Sequence, residues 1–178
     1  MDERMIENLE CGAMELAVAV VRDHPLNDKL AFASPIERAL GVAVDIHCRL
    51  VWGHGVVCST PNWTYQECVE YTKDRHESGA RFRMFPQVHI GPYRVDFLVL
   101  HEGRGDHGLG GFVVECDGHE FHERTKEQAA KDRARDRELL ALGHAVVRFT
   151  GSEIWRSPMQ CAATVWTFMR NRAFEAST

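Results

Sequence analysis

No apolar run in the 178 residues approaches the roughly 20 that a bilayer-spanning helix needs, so no membrane span is expected. The opening Met1-Asp2-Glu3-Arg4 has no basic start with an apolar stretch behind it, which sets aside a secretory signal. No Cys-x-x-Cys pair occurs among Cys11, Cys48, Cys58, Cys68, Cys116 and Cys161. A closed structural zinc site wants ligands paired at short spacing, so scattered cysteines read as reduced thiols of a cytoplasmic protein. There is no surplus of positive charge either: 26 acidic against 21 basic side chains give a net charge of −5. That argues against binding a polyphosphate by bulk charge alone. Internal repeats, low-complexity tracts and linkers are also missing. What remains is ordinary globular material, 44% hydrophobic and 26% charged. A chain of this length buries its own core and reads as a single domain over residues 1–178.

The charge is unevenly spread. Residues 1–80 hold 13 acidic and 7 basic side chains, whereas residues 81–178 hold 13 and 14. The acidic N-terminal region is open to a protein partner or to self-association as a homodimer. Arg124, Lys126, Lys131, Arg133, Arg135 and Arg137 crowd one stretch, interleaved with Glu127, Asp132 and Asp136. Two readings of that stretch stand: a solvated helix laced with salt bridges, or a stripe facing phosphates.

Met5 to Val21 carries apolar residues at helical spacing and predicts an N-terminal helix. Ser34-Pro35-Ile36-Glu37 combines an N-cap serine, a first-turn proline and a glutamate three after the cap. It predicts a second helix from Pro35 to about His47. Residues 53–62 read as loop and Trp63 to His76 as a short helix. Phe82–Ile90 and Tyr93–Leu100, separated by Gly91-Pro92, predict a hairpin. After a glycine-rich turn over residues 103–111, Phe112–Asp117 predicts a third strand. His122–Leu142 predicts a long helix closed by Gly143, His144–Phe149 a fourth strand, and Thr150 onward one last helix. Strands grouped together with helices on either side predict an α/β sheet layered by helices.

Two of those apolar strands each carry a central acid. Asp96 interrupts Val-Asp-Phe-Leu-Val-Leu, and Glu115 interrupts Phe-Val-Val-Glu-Cys-Asp. Simple alternation puts Val95, Phe97 and Val99 on one face and Asp96 on the other; Glu115 and Asp117 share a face of the third strand. Burying a carboxylate is expensive unless it is paired or bound to a cation. Adjacent strands would set Asp96 beside Glu115, and hard oxygen ligands in such a pair select Mg²⁺ or Mn²⁺ over zinc. The competing reading is a structural pairing of these acids with Arg94 or Arg148.

Pro86-Gln87-Val88-His89-Ile90-Gly91-Pro92-Tyr93-Arg94-Val95-Asp96-Phe97 and Glu115-Cys116-Asp117-Gly118-His119-Glu120-Phe121-His122 together resemble the PD-(D/E)XK nuclease superfamily, and within it the very-short-patch-repair-like endonuclease branch. Asp132-Arg133-Ala134-Arg135-Asp136, Leu139, Gly143 and Val147-Arg148-Phe149-Thr150 follow in the matching order, and Ser34 to Glu37 resembles the branch's opening helix. The resemblance covers about Ser34 to Pro158. It leaves residues 1–33 as a helical extension and residues 48–80 as an insertion. It implies a restriction-endonuclease-like αβββαβ core with a mixed four-stranded sheet. It further implies a metal-dependent endonuclease acting on DNA, with Mg²⁺ or Mn²⁺ held by Asp96, Glu115 and the Cys116 backbone carbonyl. Glu37 would approach from the opening helix, although a glutamate at this position also serves as a capping-box partner.

One position departs from the superfamily pattern. Asp117 stands where lysine is usual, two residues after the glutamate. It would bind a second metal or be held by Asp-Gly turn geometry. The missing basic group would then come from His122, Lys126 or Lys131. His122 is placed to move a proton near neutral pH or to bond a carboxylate at a helix start. The run His119-Glu120-Phe121-His122 does not have the spacing of a zinc protease. Residues 121, 125, 128, 132, 135, 136 and 139 trace one helical face, turning Asp132 and Arg135 toward the sheet as an expected mutual pair. Gln87 either orients substrate or water or is a satisfied strand amide. Arg124, Lys126, Lys131 and Arg135 would neutralise DNA phosphates. The rival to the nuclease is a catalytically inactive nuclease-fold module binding nucleic acid or protein. Repair, restriction and defence roles are all compatible with the sequence.

Overall fold

The structure, a computed structural model, describes residues 32–58, 60, 62–74, 82–102, 109–118 and 126–175. The expected N-terminal helix, His122, Arg124 and the side chain of Lys126 lie outside the described residues, as does the acidic segment before Phe32.

Helix α1 spans Pro35–Trp52. It begins as its sequence dictates: the Ser34 hydroxyl accepts from the Glu37 N–H at 3.3 Å, and proline fills the first turn. It runs five residues past His47 because no breaker intervenes before Gly53, which closes it in the left-handed conformation at φ 80°. Asp45, buried on α1, accepts from the Val56 and Val57 N–H groups at 2.9 and 3.2 Å, tying the following loop to the helix. Helix α2 spans Tyr65–Asp74, starting two residues after the expected Trp63; residues 75 and 76 of the expected helix lie outside the described residues.

Strands β1 (Phe82–Ile90), β2 (Tyr93–Glu102) and β3 (Leu109–Asp117) form an antiparallel meander, and β4 (Ala145–Thr150) adds in parallel to β3. The sheet order is β1-β2-β3-β4. Strand β3 takes in Leu109 to Gly111, which the sequence suggests as turn. A Cβ on Gly111 would lie 2.7 Å from the Val99 carbonyl oxygen, so glycine here serves close backbone approach within the sheet. Helix α3 (Lys126–Ala141) makes the crossover from β3 to β4. The single last helix expected from Thr150 is two, α4 (Gly151–Arg156) and α5 (Pro158–Glu175). Thr150 and Glu153 form a capping box that starts α4; Pro158 has no N–H to continue it and starts α5 instead.

The sheet has two apolar faces. On one, Phe97, Val99, Phe112 and Val114 pack with Leu40 and Val44 of α1 and Val165 and Met169 of α5. On the other, Phe85, Leu98, Leu100 and Val113 pack with Cys68 and Val69 of α2 and Leu139 of α3. The fold is therefore α/β, a mixed four-stranded sheet flanked by helices.

Alternation does not run unbroken along β1 and β2. Met84 faces α1 and α5, yet Phe85, Val88 and Ile90 all face α2 and α3. Val95 joins Leu98 and Leu100 on that same face, not Phe97 and Val99 as simple alternation requires. The ladder pairs Pro86 with Phe97 and Val88 with Val95 and skips the pair between them, Gln87 and Asp96. Gln87 has φ 54°, and this is where both strands change phase.

Candidate active site

The two strands that carry the acids part at the same level. The last pair of β2 and β3 is Phe97 with Val114, so Asp96 and Glu115 flank the mouth of a fork. The Cys116 N–H closes it by donating to Asp96 Oδ2 at 2.7 Å. Helix α1 brings Glu37 from one layer, and α3 brings Arg135 from the other. The Asp96 charge reaches both Glu37 and Glu115. The expectation that neighbouring strands bring Asp96 and Glu115 together therefore holds.

Arg135 Nη2 donates to Glu115 Oε1 at 2.7 Å and to the Arg94 carbonyl at 2.8 Å. Its guanidinium also lies over the Tyr93 ring, 5.7 Å from the centroid. The expected pairing of Arg135 with Asp132 gives way to this contact, because the α3 face that meets the sheet places the guanidinium over the end of β3. The arginine that pairs with Glu115 is thus Arg135, in place of Arg94 or Arg148, while Asp96 accepts from the Cys116 N–H. Arg148 forks onto Asp136 at 2.6 and 3.3 Å and reaches Asp117 Oδ1 at 3.0 Å. Asp117, in the usual lysine position, is held by that guanidinium. Lys131 is exposed on α3, whereas Arg135 is turned inward.

On the other side, Glu37 Oε2 accepts from the Ala33 N–H at 3.0 Å and from Gln87 Nε2 at 2.6 Å. Glu37 thus combines half of a capping interaction with a place in the acid cluster. Burial raises the Glu37 carboxyl above its ordinary range, and the Asp96 charge adds to this. Burial likewise raises Asp96, opposed by the Cys116 N–H and by Arg135. Glu115 is pushed up to about 8, first by burial and then by Asp96, with Arg135 pulling the other way. The Cys116 thiol is driven upward by burial and by the same acids, so it is no nucleophile.

Among the described residues, no group of three or more His, Cys, Asp and Glu side chains is set to hold a metal ion. Magnesium does not need such a cage, since one or two carboxylates commonly hold it with waters. The donor set fits a hard cation of that kind. Asp96 Oδ1 and Glu115 Oε2 accept no hydrogen bond among the described residues, and Gln87 Oε1 is buried with no partner.

The partnerships of Arg135 and Arg148 were visible in sequence only as a helix face and a strand position; which acid each would take was not. No helix among the described residues is long and apolar enough to cross a membrane. Cys48, Cys58, Cys68, Cys116 and Cys161 are all free thiols.

No curated protein and no solved structure matches this chain. A family model, REase_MTES_1575, matches residues 72–169. That stretch holds the four strands, the acids of the fork and helix α3, and it is more than half of the sequence. The chain belongs to this restriction-endonuclease-like family and carries a nuclease-type domain.

Proposed function

We propose that this protein is a Mg²⁺- or Mn²⁺-dependent endonuclease that hydrolyses phosphodiester bonds in DNA. The observation that carries this reading is the convergence of Asp96, Glu115 and Glu37 at the strand fork, where burial holds all three above their ordinary ionisation range and a neighbouring carboxylate (Asp96 for Glu37 and Glu115, Asp117 for Asp96) adds to it. Such a cluster gains most from a divalent cation. Asp96, Glu115 and the Cys116 carbonyl would hold the ion. When bound, the ion would supply Lewis-acid polarisation of the phosphodiester and a water activated at neutral pH. Glu37 would orient that water and hold its proton. Arg135 supplies beside Glu115 the positive charge that Asp117 does not, while Arg148 neutralises Asp117. Lys131 on the exposed side of α3, with Lys126, Arg124 and His122 nearby in sequence, would meet the flanking phosphates and handle protons. Ser34 to Glu37 opening α1, and Asp-Gly after the glutamate, support placement near the very-short-patch-repair-like branch.

The test is plasmid nicking with Mg²⁺ or Mn²⁺, comparing wild type with Asp96→Ala and Glu115→Ala. Wild type should nick and both variants should lose activity by at least a hundredfold; equal cleavage by all three sinks the reading.

A second reading is favoured by one specific contact. With Arg135 on Glu115 and Asp117 in the lysine position, the fork is partly neutralised by the protein itself, as in a nuclease-fold module that binds without cutting. Calorimetry with Mn²⁺ separates the two: the enzyme binds the ion and the inactive module does not.

A further inference from the structure

Gln87 is an unusual residue to find in the middle of a strand. Its φ of 54° lies in the left-handed region, which a side chain with a Cβ rarely adopts. Such strain persists only where the surroundings enforce it, and it gathers at functional sites. Gln87 is 3% exposed. The ladder opens at its position and nowhere else between Phe82 and Ile90, opposite Asp96.

The amide orientation is fixed by its neighbour. The Gln87 NH₂ donates to Glu37 Oε2 at 2.6 Å, the oxygen that also accepts from the Ala33 N–H. The amide oxygen then points away from Glu37, buried and without a partner. Buried amide oxygens normally find a donor, and this one is strained, pinned and unsatisfied at the level of Asp96. An amide carbonyl is a hard oxygen donor of the kind that suits magnesium or manganese.

We propose that Gln87 Oε1 is a neutral oxygen ligand for the divalent cation held by Asp96 and Glu115, with Glu37 locking the amide in the ligating orientation. This rests on the metal-dependent reading above. The left-handed turn at Gln87 has a purpose under this view: it brings a β1 side chain to the acids of β2 and β3. Glu37 acts through Gln87 as a positioning residue in addition to any contact of its own.

The test uses the full chain and Mn²⁺ alone, read by calorimetry, with wild type, Gln87→Met, Gln87→Glu, Glu37→Ala and the double variant Glu37→Ala/Gln87→Met. Gln87→Met should weaken Mn²⁺ binding at least tenfold. Gln87→Glu keeps an oxygen and should bind within threefold of wild type or tighter. The double variant should bind more weakly than Glu37→Ala, because the ligand is lost as well as its lock. In the wild-type protein, the Gln87 side-chain amide resonance should shift on adding Mg²⁺, a readout that survives if a variant fails to fold. Wild-type Mn²⁺ affinity that Asp96→Ala abolishes but Gln87→Met leaves intact overturns this inference alone. So does a double variant no weaker than Glu37→Ala, or an unmoved amide resonance in protein that binds the ion. Absence of Mn²⁺ binding by wild type overturns it together with the metal-dependent reading.

Discussion

Replacing Arg135 with methionine isolates the ion pair at the centre of the fork. The guanidinium donates to Glu115 at 2.7 Å, with the arginine side chain 23% exposed and the glutamate 7% exposed. Methionine keeps the aliphatic length of the side chain and removes the charge, its hydrogen bonds and the guanidinium's place over the Tyr93 ring. Breaking one partner of a buried pair typically costs about 3–5 kcal/mol, because the remaining charge is left uncompensated. Partial exposure of Arg135 places the loss at the lower end, about 3 kcal/mol, provided that Glu115 stays ionised. That condition depends on pH. Without Arg135, the Glu115 carboxyl rises above its position near 8 and takes up a proton in acidic buffer. At pH 6 it is neutral in both proteins, so the variant loses only the net value of its hydrogen bonds, about 1 kcal/mol. The variant can avoid the full penalty by keeping the Glu115 proton, which limits the pH-dependent part at pH 9 to about 1.4 kcal/mol, so urea unfolding of metal-free protein should show Arg135→Met costing about 2 kcal/mol at pH 9 and about 1 kcal/mol at pH 6. In a Glu115→Gln background the pH dependence of that cost should vanish. A loss equal at the two pH values, or below about 0.5 kcal/mol at pH 9, refutes the electrostatic account of the fork.

The same carboxyl governs the pH profile of the wild type. Its proton is held to about 8 in the folded chain but is released near the ordinary 4.5 on unfolding, so metal-free stability should fall as pH rises between those values. The slope should not exceed about 1.4 kcal/mol per pH unit from this group, and thermal melts of Glu115→Gln should show it flattened. Ser34→Ala removes the cap acceptor of α1 and should cost about 1 kcal/mol in urea unfolding; an unchanged midpoint would show that Glu37 alone fixes the helix start. Lys131→Ala should weaken DNA binding and reduce the log–log salt slope by about 1, with metal-ion affinity unchanged; an unaltered slope would remove Lys131 from the phosphate-facing surface.

The elements were legible where one local signal dominates. Ser34-Pro35 starts α1 by capping chemistry, whereas its end, five residues past the expected His47, was not read; β-formers on either side of Gly91-Pro92 mark the hairpin. The acids stood out because Asp96 and Glu115 break apolar strands, an arrangement that makes no sense without a partner. Errors arose where a distant contact decides the outcome. Gly110 and Gly111 look like turn residues but belong to β3, because the neighbouring strand comes too close for a side chain. Strict alternation assigned Val95 to the wrong face because the phase reversal at Gln87 and Asp96 leaves no trace in local composition. That reversal also links strand geometry to site chemistry. A regular β1 would send its side chains to one layer or the other; a strand that turns at Gln87 delivers an amide between the layers, where Glu37 of α1 meets the acids of β2 and β3. Arg135 reaches the same point from α3. The fork is thus assembled from both layers by one irregular position and one inward guanidinium: Arg135 of α3 bonds Glu115, and Arg148 of β4 bonds Asp117.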